Sequence, residues 1–372
     1  MGGSLSTMIV RHLYVHVPFC HRICPYCAFY KHQPGETSTS AVADALLAEL
    51  DRHRDRFEIV PETIYFGGGT PTLLSKTVLA TLLEGFHHRL PMDSLKEWTL
   101  EANPKTFDAE KATLMRDHGV SRVSLGVQSW NPTHLETLGR DHSPDEAEAS
   151  YQLLCKAGIP LVNVDLMFSL PNQSLADWRA DLERTLTLQP SHLSAYNLTY
   201  EEDTPFFKQL GKGAFRDDED NNADHFYLAD ELLSAAGYGH YEISNYAKPG
   251  AESQHNRAYW AGNDYLGLGP SAVSTVGGKR WRNVPDTALY ARSISNIQID
   301  EEILSDDDHH NERVALLLRT LEGIPVTRLS ETSRQRATEL AEEGVLEVIN
   351  DHFRLTHDHR ALVDPVAADL FV

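Results

Sequence analysis

Cysteine is scarce in this chain: four in 372 residues. That number is too small for a disulfide-stapled secreted fold and suits a reducing compartment. Positive charge is also in deficit. Lys and Arg total 33 against 54 Asp and Glu, a net charge of −21. Such a surface repels nucleic acid and anionic lipid, and no basic stripe interrupts it. No apolar run approaches the ~20 residues of a membrane span, and the opening residues carry no apolar signal region. Gly2 and Ser6 loosely fit a myristoylation pattern, although a Gly/Ser-rich start is more simply a frayed end. These absences predict a cytoplasmic protein without stable membrane insertion or nucleic-acid partner.

What cysteine there is, is concentrated. Cys20, Cys24 and Cys27 fall within eight residues, spaced C-x3-C-x2-C, in Tyr14-Val-His-Val-Pro-Phe-Cys-His-Arg-Ile-Cys-Pro-Tyr-Cys. Three thiolates on one short loop can hold three corners of a [4Fe-4S] cubane and leave the fourth iron open to another ligand. Three is the wrong number for disulfides, and the loop is too short for several bridges. Zinc is the competing metal, with His16 or His21 as a fourth ligand. The neighbouring aromatics Phe19, Tyr26 and Phe29 favour iron and sulfur. Cys155, within Tyr-Gln-Leu-Leu-Cys-Lys-Ala-Gly, reads as a buried structural thiol on a helix.

From residue 13 the chain alternates. Short β-rich runs at 13–17, 63–66, 98–101, 122–127, 161–166 and 192–198 are interleaved with helical periodicity at 41–54, 76–88, 109–118 and 144–157. Alternation of this kind means parallel strands with crossover helices. About six units predict a partial (β/α)6 TIM barrel, with a doubly wound sheet as the alternative. The chemically distinctive residues fall just after the strands: Cys20, Gly67-Gly68-Gly69-Thr70-Pro71, Glu101, Gln128-Ser129, Asp165 and Tyr196-Asn197. That is the face which carries active sites in α/β barrels. The glycines let backbone approach a ligand closely. Glu101 and Asp165 could accept from an amine or ribose hydroxyls, or form salt bridges at the barrel mouth. Arg140 could bind a cofactor carboxylate or be a surface helix arginine.

Toward the end, 300–310 is acidic, carries His309-His310 and reads as a solvated bridge, with a metal role for the histidine pair as a minor alternative. Helical periodicity at 311–322 and 332–343 and a hairpin at 345–355 predict a small winged-helix-like domain. Three segments are expected: 1–245 as barrel, 246–300 as a connecting region, and 301–372 as the C-terminal domain.

Taken in order, Tyr14-Val-His-Val-Pro-Phe-Cys, Phe66-Gly-Gly-Gly-Thr-Pro-Thr, Glu101-Ala-Asn-Pro, Ser124-Leu-Gly-Val-Gln-Ser, Leu138-Gly-Arg-Asp-His, Asp165-Leu-Met-Phe-Ser-Leu-Pro, Ser194-Ala-Tyr-Asn-Leu-Thr-Tyr-Glu and His255-Asn-Arg-Ala-Tyr-Trp span most of the chain. In these segments the chain resembles the radical S-adenosylmethionine enzymes, in the branch of the oxygen-independent coproporphyrinogen III oxidases, and there the heme chaperone subgroup (HemW-like). The resemblance implies that S-adenosylmethionine closes the open iron. One electron from the cluster would then cleave the sulfonium to a 5′-deoxyadenosyl radical. By motif match, Tyr14, Gly68, Gly69, Thr70, Glu101, Gln128, Arg140 and Asp165 would line that cofactor. The expected partners are an electron donor such as flavodoxin or ferredoxin and recipient hemoproteins, and the chain could form a homodimer.

The departures discriminate. The resembled oxidases carry a further cysteine where this chain has Phe29, and an N-terminal extension ahead of the cluster motif. Ala28 stands where the chaperones usually have Asp, and Phe168-Ser replaces their Tyr-Gly. His255 opens the H-N-x-x-Y-W pattern that the chaperone subgroup associates with heme. An imidazole is a good axial ligand, and the nearby Tyr259 and Trp260 offer flat apolar surface; a structural histidine remains the alternative. The expected function is a heme chaperone. The alternative is a radical enzyme on a porphyrin or another aromatic, by decarboxylation of coproporphyrinogen III or by methyl transfer.

Overall fold

A computed structural model describes residues 8–35, 37–293, 295 and 297–371. The Gly2/Ser6 pattern lies outside the described residues.

The organising element is a nine-stranded sheet. In chain order its strands are β1 (Ile9–Val17), β2 (Glu58–Gly68), β3 (Glu97–Ala102), β4 (Arg122–Gln128), β5 (Leu161–Phe168), β6 (His192–Asn197), β7 (Gly239–Glu242), β8 (Asn245–Ala247) and β9 (Leu266–Leu268). Their spatial order is β7-β8-β6-β5-β4-β3-β2-β1-β9. β1 to β6 are mutually parallel, as crossover connections require. The helices between them are α1 (Thr39–Arg54), α2 (Lys76–Arg89), α3 (Ala109–Asp117), α4 (Pro132–Thr137), α5 (Pro144–Ala157) and α6 (Leu175–Leu188). Six such strands with their helices form the partial (β/α)6 barrel expected from the alternation.

Two edges depart from the expectation. β8 runs antiparallel to β6, and β7 antiparallel to β8. At the other edge β9, from the segment read as a connection, adds in parallel to β1. A three-residue strand carries no periodic signal, so its sequence could not announce it. β1 and β2 also begin earlier than expected. Pro61 lacks an N–H and would normally end a strand; here the pairing shifts register between Val10 and His12 and resumes beyond it.

The strands alternate strictly. One face holds Leu13, Val15, Ile64, Phe66, Trp98, Leu100, Val123, Leu125, Val162, Val164 and Leu193, all buried under the helices. Phe66, Phe86 and Trp98 interlock there with ring centroids 5.2–6.1 Å apart. The other face is polar and lines the lumen: Tyr14, His16, Tyr65, Thr99, Glu101, Ser124, Asn163, Asp165 and Ser194. A period of two thus separates packing from chemistry.

After β6 come α7 (Pro205–Gly211), α8 (Glu219–Ala235) and α9 (Gln254–Trp260). A second sheet joins β10 (Val273–Val276), β11 (Lys279–Asn283) and β12 (Gln298–Ile303), with α10 (Thr287–Arg292) between the last two. The final domain comprises α11 (Asp306–Leu318), α12 (Glu331–Glu342), α13 (Val363–Asp369) and a sheet of β13 (Ile324–Pro325), β14 (Leu346–Ile349) and β15 (His352–Leu355) in the order β13-β15-β14. It has its own core of Val314, Leu318, Ile324, Leu340, Phe353 and Leu355. Helices around a small hairpin match the winged-helix-like expectation.

The acidic bridge does not stay a loop. Its first residues extend β12 to Ile303, and Asp306-Asp307-Asp308 form the first turn of α11, capped by a reciprocal Ser305–Asp308 pair. Three carboxylates at a helix N-terminus complement the dipole, so the charge run builds structure. His310 bonds Ser333 at 3.0 Å. Among the described residues no helix is long and apolar enough to cross a membrane.

Candidate cluster and cofactor site

The chain leaves β1 at the barrel mouth and makes a closed loop that carries all three motif cysteines. Its neck is tied by Cys20 N–H to the His32 carbonyl (3.0 Å) and His32 N–H to the Pro18 carbonyl (2.9 Å). Inside it, Cys27 N–H donates to the Cys24 carbonyl (3.3 Å). Two contacts fix its orientation. The ring of His32 reaches the Thr287 hydroxyl at the start of α10 (2.8 Å), and the Phe206 N–H of α7 donates to the Pro25 carbonyl (3.1 Å). His21 reaches Asp141 at 2.7 Å.

Polar hydrogens converge on the sulfurs. The Thr70 hydroxyl lies 3.9 Å from Cys20 Sγ, and Arg140 Nη1 lies 3.6 Å from Cys24 Sγ. Lys31 sits beside Cys27 and bonds its carbonyl. Burial, with a smaller push from the neighbouring cysteines, raises the Cys20 thiol to about 11 and raises Cys27 as well. These thiols therefore hold their protons unless a metal replaces them. A sulfur-rich donor set with a guanidinium and a hydroxyl aimed at it fits an iron-sulfur cluster. The zinc arrangement is not formed. His16 is fully engaged, with Nδ1 on the Tyr14 hydroxyl (3.0 Å) and Nε2 on the Tyr30 carbonyl (2.7 Å), and His21 turns to Asp141. Among the described residues no three His, Cys, Asp or Glu side chains close on a single ion.

Arg140 is not the surface helix arginine that was one reading of it. It follows α4 in a loop, is half-buried, and spans three partners: Cys24 through Nη1, and the Gly126 carbonyl (2.8 Å) and Asn103 through Nη2. Its Nε is buried without a partner. A free guanidinium N–H beside the cluster loop fits a cofactor carboxylate. Asn103 in turn donates to Thr70 (2.7 Å), so Arg140 and Thr70 are locked together. Gly126 is required by this approach: a Cβ there would stand 2.7 Å from Asn103 Oδ1. Gln128, past a β-bulge, holds a positive φ of 71°, a strained state for a non-glycine residue.

The glycine run acts differently from its sequence reading. Its N–H groups are taken by the fold: Gly68 by Glu101 Oε2 (3.2 Å), Gly69 by the Val17 carbonyl (2.8 Å) and Thr70 by the Phe19 carbonyl (2.7 Å). Glycine is needed because a Cβ on Gly68 would fall 2.4 Å from the His16 ring and one on Gly69 2.6 Å from the Phe19 carbonyl. The run brings β2 against the cluster loop; its amides do not hang free for a ligand.

Glu101 and Asp165 face the lumen near this run. Glu101 accepts from the Tyr65 hydroxyl (2.8 Å), and burial raises it to about 7. Asp165 accepts from Ser124 (2.9 and 3.1 Å) and Asn163 (2.6 Å); burial raises it, against those hydrogen bonds. Tyr14 stacks on Tyr65 with centroids 6.2 Å apart. Among the described residues, neither carboxylate forms the salt bridge that was the alternative. Tyr65, Asn103, Asn163 and Ser194 belong to this site and were missed as site residues. Tyr65, Asn163 and Ser194 lie on the polar half of their strands' alternation, and Asn103 lies just past the end of β3, but neither position shows which side chain each one orients.

His255 lies at the start of α9, against the lumen side of β2. Its Nδ1 meets the Thr63 hydroxyl (2.9 Å), its ring sits 5.0 Å from that of Tyr65, and burial lowers it to about 4, so the imidazole is neutral. The helix is pinned by Glu97, which accepts from Ser253 Oγ and from the N–H groups of Gln254 and His255 (all 3.1 Å) while paired with Arg122 (2.8 Å). Trp260 does not share the His255 face. It lines a cavity of about 310 Å³ with Tyr241, Glu242, Arg257 and Leu317. Cys155 is exposed on α5, not buried. The inward stripe of α5 is Ala147, Ser150, Tyr151 and Leu154, and the next residue is turned about 100° away from it.

Comparison with known proteins agrees with this geometry. The family model of the radical SAM superfamily matches residues 14–185. A heme chaperone HemW of Escherichia coli is 42% identical over 268 residues, 71% of this chain and 70% of that protein. One of Mycobacterium tuberculosis is 36% identical, covering 96% and 94%. One of Lactococcus lactis is 35% identical, covering 91% and 89%. Among solved structures, the radical SAM coproporphyrinogen III oxidase HemN of Escherichia coli superposes with a TM-score of 0.84 at 22% identity, over 98% of this chain and 90% of that one, which establishes the fold. The chain therefore belongs to the radical SAM superfamily and, within it, to the HemW family, on a HemN-like fold.

Proposed function

We propose that this protein is a cytoplasmic heme chaperone that binds a [4Fe-4S] cluster, S-adenosylmethionine and heme, and passes heme to recipient hemoproteins. The observation that carries the reading is the HemW relationship at 35–36% identity over more than nine tenths of the chain. Phe29 supports it: the side chain standing where the resembled oxidases have another cysteine is 69% exposed beside the cluster loop.

Cys20, Cys24 and Cys27 hold the cluster. Thr70 and Arg140 donate toward its sulfurs, and Arg140 Nε remains for the carboxylate of the cofactor. Tyr14, Gly68, Gly69, Glu101, Gln128 and Asp165 line the cofactor, with the two carboxylates as acceptors for its amine and ribose hydroxyls. When bound, cluster and cofactor together supply one-electron cleavage of the sulfonium. His255 is the heme ligand in this reading. Its neutral imidazole and its Thr63-held Nδ1 leave Nε2 as the coordinating atom, and a ligating histidine is ordinarily held through its other nitrogen. Electrons come from a flavodoxin- or ferredoxin-like donor, and a homodimer is compatible with the role.

The test is heme uptake. Wild-type protein should bind heme with a shifted Soret band, and His255→Ala should weaken or alter that spectrum while iron and sulfide content stay unchanged. An identical spectrum and affinity in the variant removes His255 from the role. No heme uptake by wild type removes the chaperone reading.

A further inference from the structure

A buried file of hydrogen bonds runs from the start of α9 to Asp165. The Ser253 N–H donates to the Tyr241 hydroxyl (3.2 Å). That hydroxyl meets His192 Nε2 at 2.8 Å, and His192 Nδ1 meets Asn163 Oδ1 at 2.6 Å. Asn163 Nδ2 ends the file on Asp165 Oδ1 at 2.6 Å, with Ser124 Oγ at 2.7 Å and Ser194 Oγ at 2.9 Å beside it. His192 and Asn163 are 2% and 4% exposed.

The direction of the file follows from its ends. A backbone N–H can only donate, so Tyr241 accepts from Ser253, and its own hydrogen is left for His192 Nε2. His192 is neutral, since burial drives it well below its ordinary value. Its single ring proton is then on Nδ1 and requires the oxygen of Asn163 as acceptor. That choice leaves the Asn163 amino group facing the carboxylate. The other end agrees, because an ionised Asp165 can only accept. Without the His192 donor the amide gains a second orientation, with its oxygen set against the carboxylate.

We propose that Asn163, oriented by His192, is a positioning residue that holds the Asp165 carboxylate as the acceptor for the ribose hydroxyls of the bound cofactor. The role rests on the reading that S-adenosylmethionine occupies this mouth with Asp165 lining it. Asn163 touches Asp165, not the reacting atoms, and its effect is confined to the group Asp165 contacts.

The experiment compares two ligands on the cluster-reconstituted full chain by calorimetry: S-adenosylmethionine and its 2′,3′-dideoxy analogue. Wild type should prefer the first. Asn163→Ala should weaken S-adenosylmethionine by about tenfold to a hundredfold, the worth of a hydrogen bond to a charged group, and leave the analogue unchanged. His192→Ala should show the same pattern, and His192→Asn, whose amide nitrogen takes the place of Nδ1 and can still donate to Asn163, should recover it. Iron content and the melting temperature report whether each variant is folded. If Asn163→Ala loses the cluster, the His192→Ala and His192→Asn pair decides. Equal weakening of both ligands overturns the positioning role alone; no discrimination by wild type overturns it together with the ribose-acceptor role of Asp165. Failure of wild type to bind S-adenosylmethionine overturns the cofactor reading and this role with it.

Discussion

Arg140 Nη1 stands 3.6 Å from the Cys24 sulfur while Nη2 is bound to the Gly126 carbonyl at 2.8 Å. One half-buried guanidinium thus joins the cluster loop to the end of β4. A lysine offers a point charge without the fork and cannot serve all three partners. Arg140→Lys should therefore behave nearly as poorly as Arg140→Met, each weakening cofactor binding about tenfold or more, the worth of one charge-assisted hydrogen bond. Calorimetry on reconstituted protein checks this. A fully functional lysine variant would show that only the charge counts.

Iron content separates the cysteines. Reconstituted wild type should hold about four irons, and replacing Cys20, Cys24 or Cys27 by Ala should abolish or cripple loading. Cys155→Ala should load normally, because Cys155 is exposed on the outer face of α5. Full iron content in the triple alanine variant would contradict the assignment.

Glu101 gives a pH signature. Its folded value is raised to about 7, from 4.5, chiefly by burial. The folded state then holds a proton that the unfolded chain has released between those values, so ligand-free stability should fall as pH rises from about 4.5 to about 7. The contribution is on the order of 3 kcal/mol. Glu242 is raised similarly, so the informative quantity is the difference between wild type and Glu101→Gln. For binding the sign reverses: a carboxylate that accepts from the cofactor must be ionised, so affinity should weaken by up to about tenfold per unit below pH 7. Glu101→Gln should remove that slope. A slope that survives the substitution belongs to another group.

Glu97 is the hinge of the heme motif's placement. Its carboxylate pairs with Arg122 at 2.8 Å and accepts from three donors at the start of α9. Glu97→Ala leaves the buried Arg122 unpaired and should cost about 3–5 kcal/mol. Denaturant titration measures the loss. A cost within 1 kcal/mol would mean that α9 is held by packing alone.

Sequence carried the fold where periodicity is long: six strands, their helices and the C-terminal hairpin all appear near their expected positions. It failed where the signal is short or borrowed. β9 has three residues, and its place beside β1 is dictated by tertiary pairing. β2 begins before the expected 63–66, across Pro61, where the pairing with β1 shifts register. At the site, the cysteines and the carboxylates were legible because their residue types are rare at strand ends. Asn103, Asn163 and Tyr65 were not, since each acts by orienting another side chain, and spacing along the chain does not show which side chain that is. The glycine run also serves the fold, which its sequence did not announce: its small size admits His16 and β1.

The most direct measurement follows heme and porphyrin in one reaction. Anaerobic, cluster-loaded protein is given S-adenosylmethionine, a reductant and either heme with an apo-hemoprotein or coproporphyrinogen III. Absorbance follows the acceptor, and mass analysis follows the porphyrin. The expected result is heme transferred to the acceptor and coproporphyrinogen recovered intact. Efficient decarboxylation without heme transfer would contradict the chaperone and identify an oxidase.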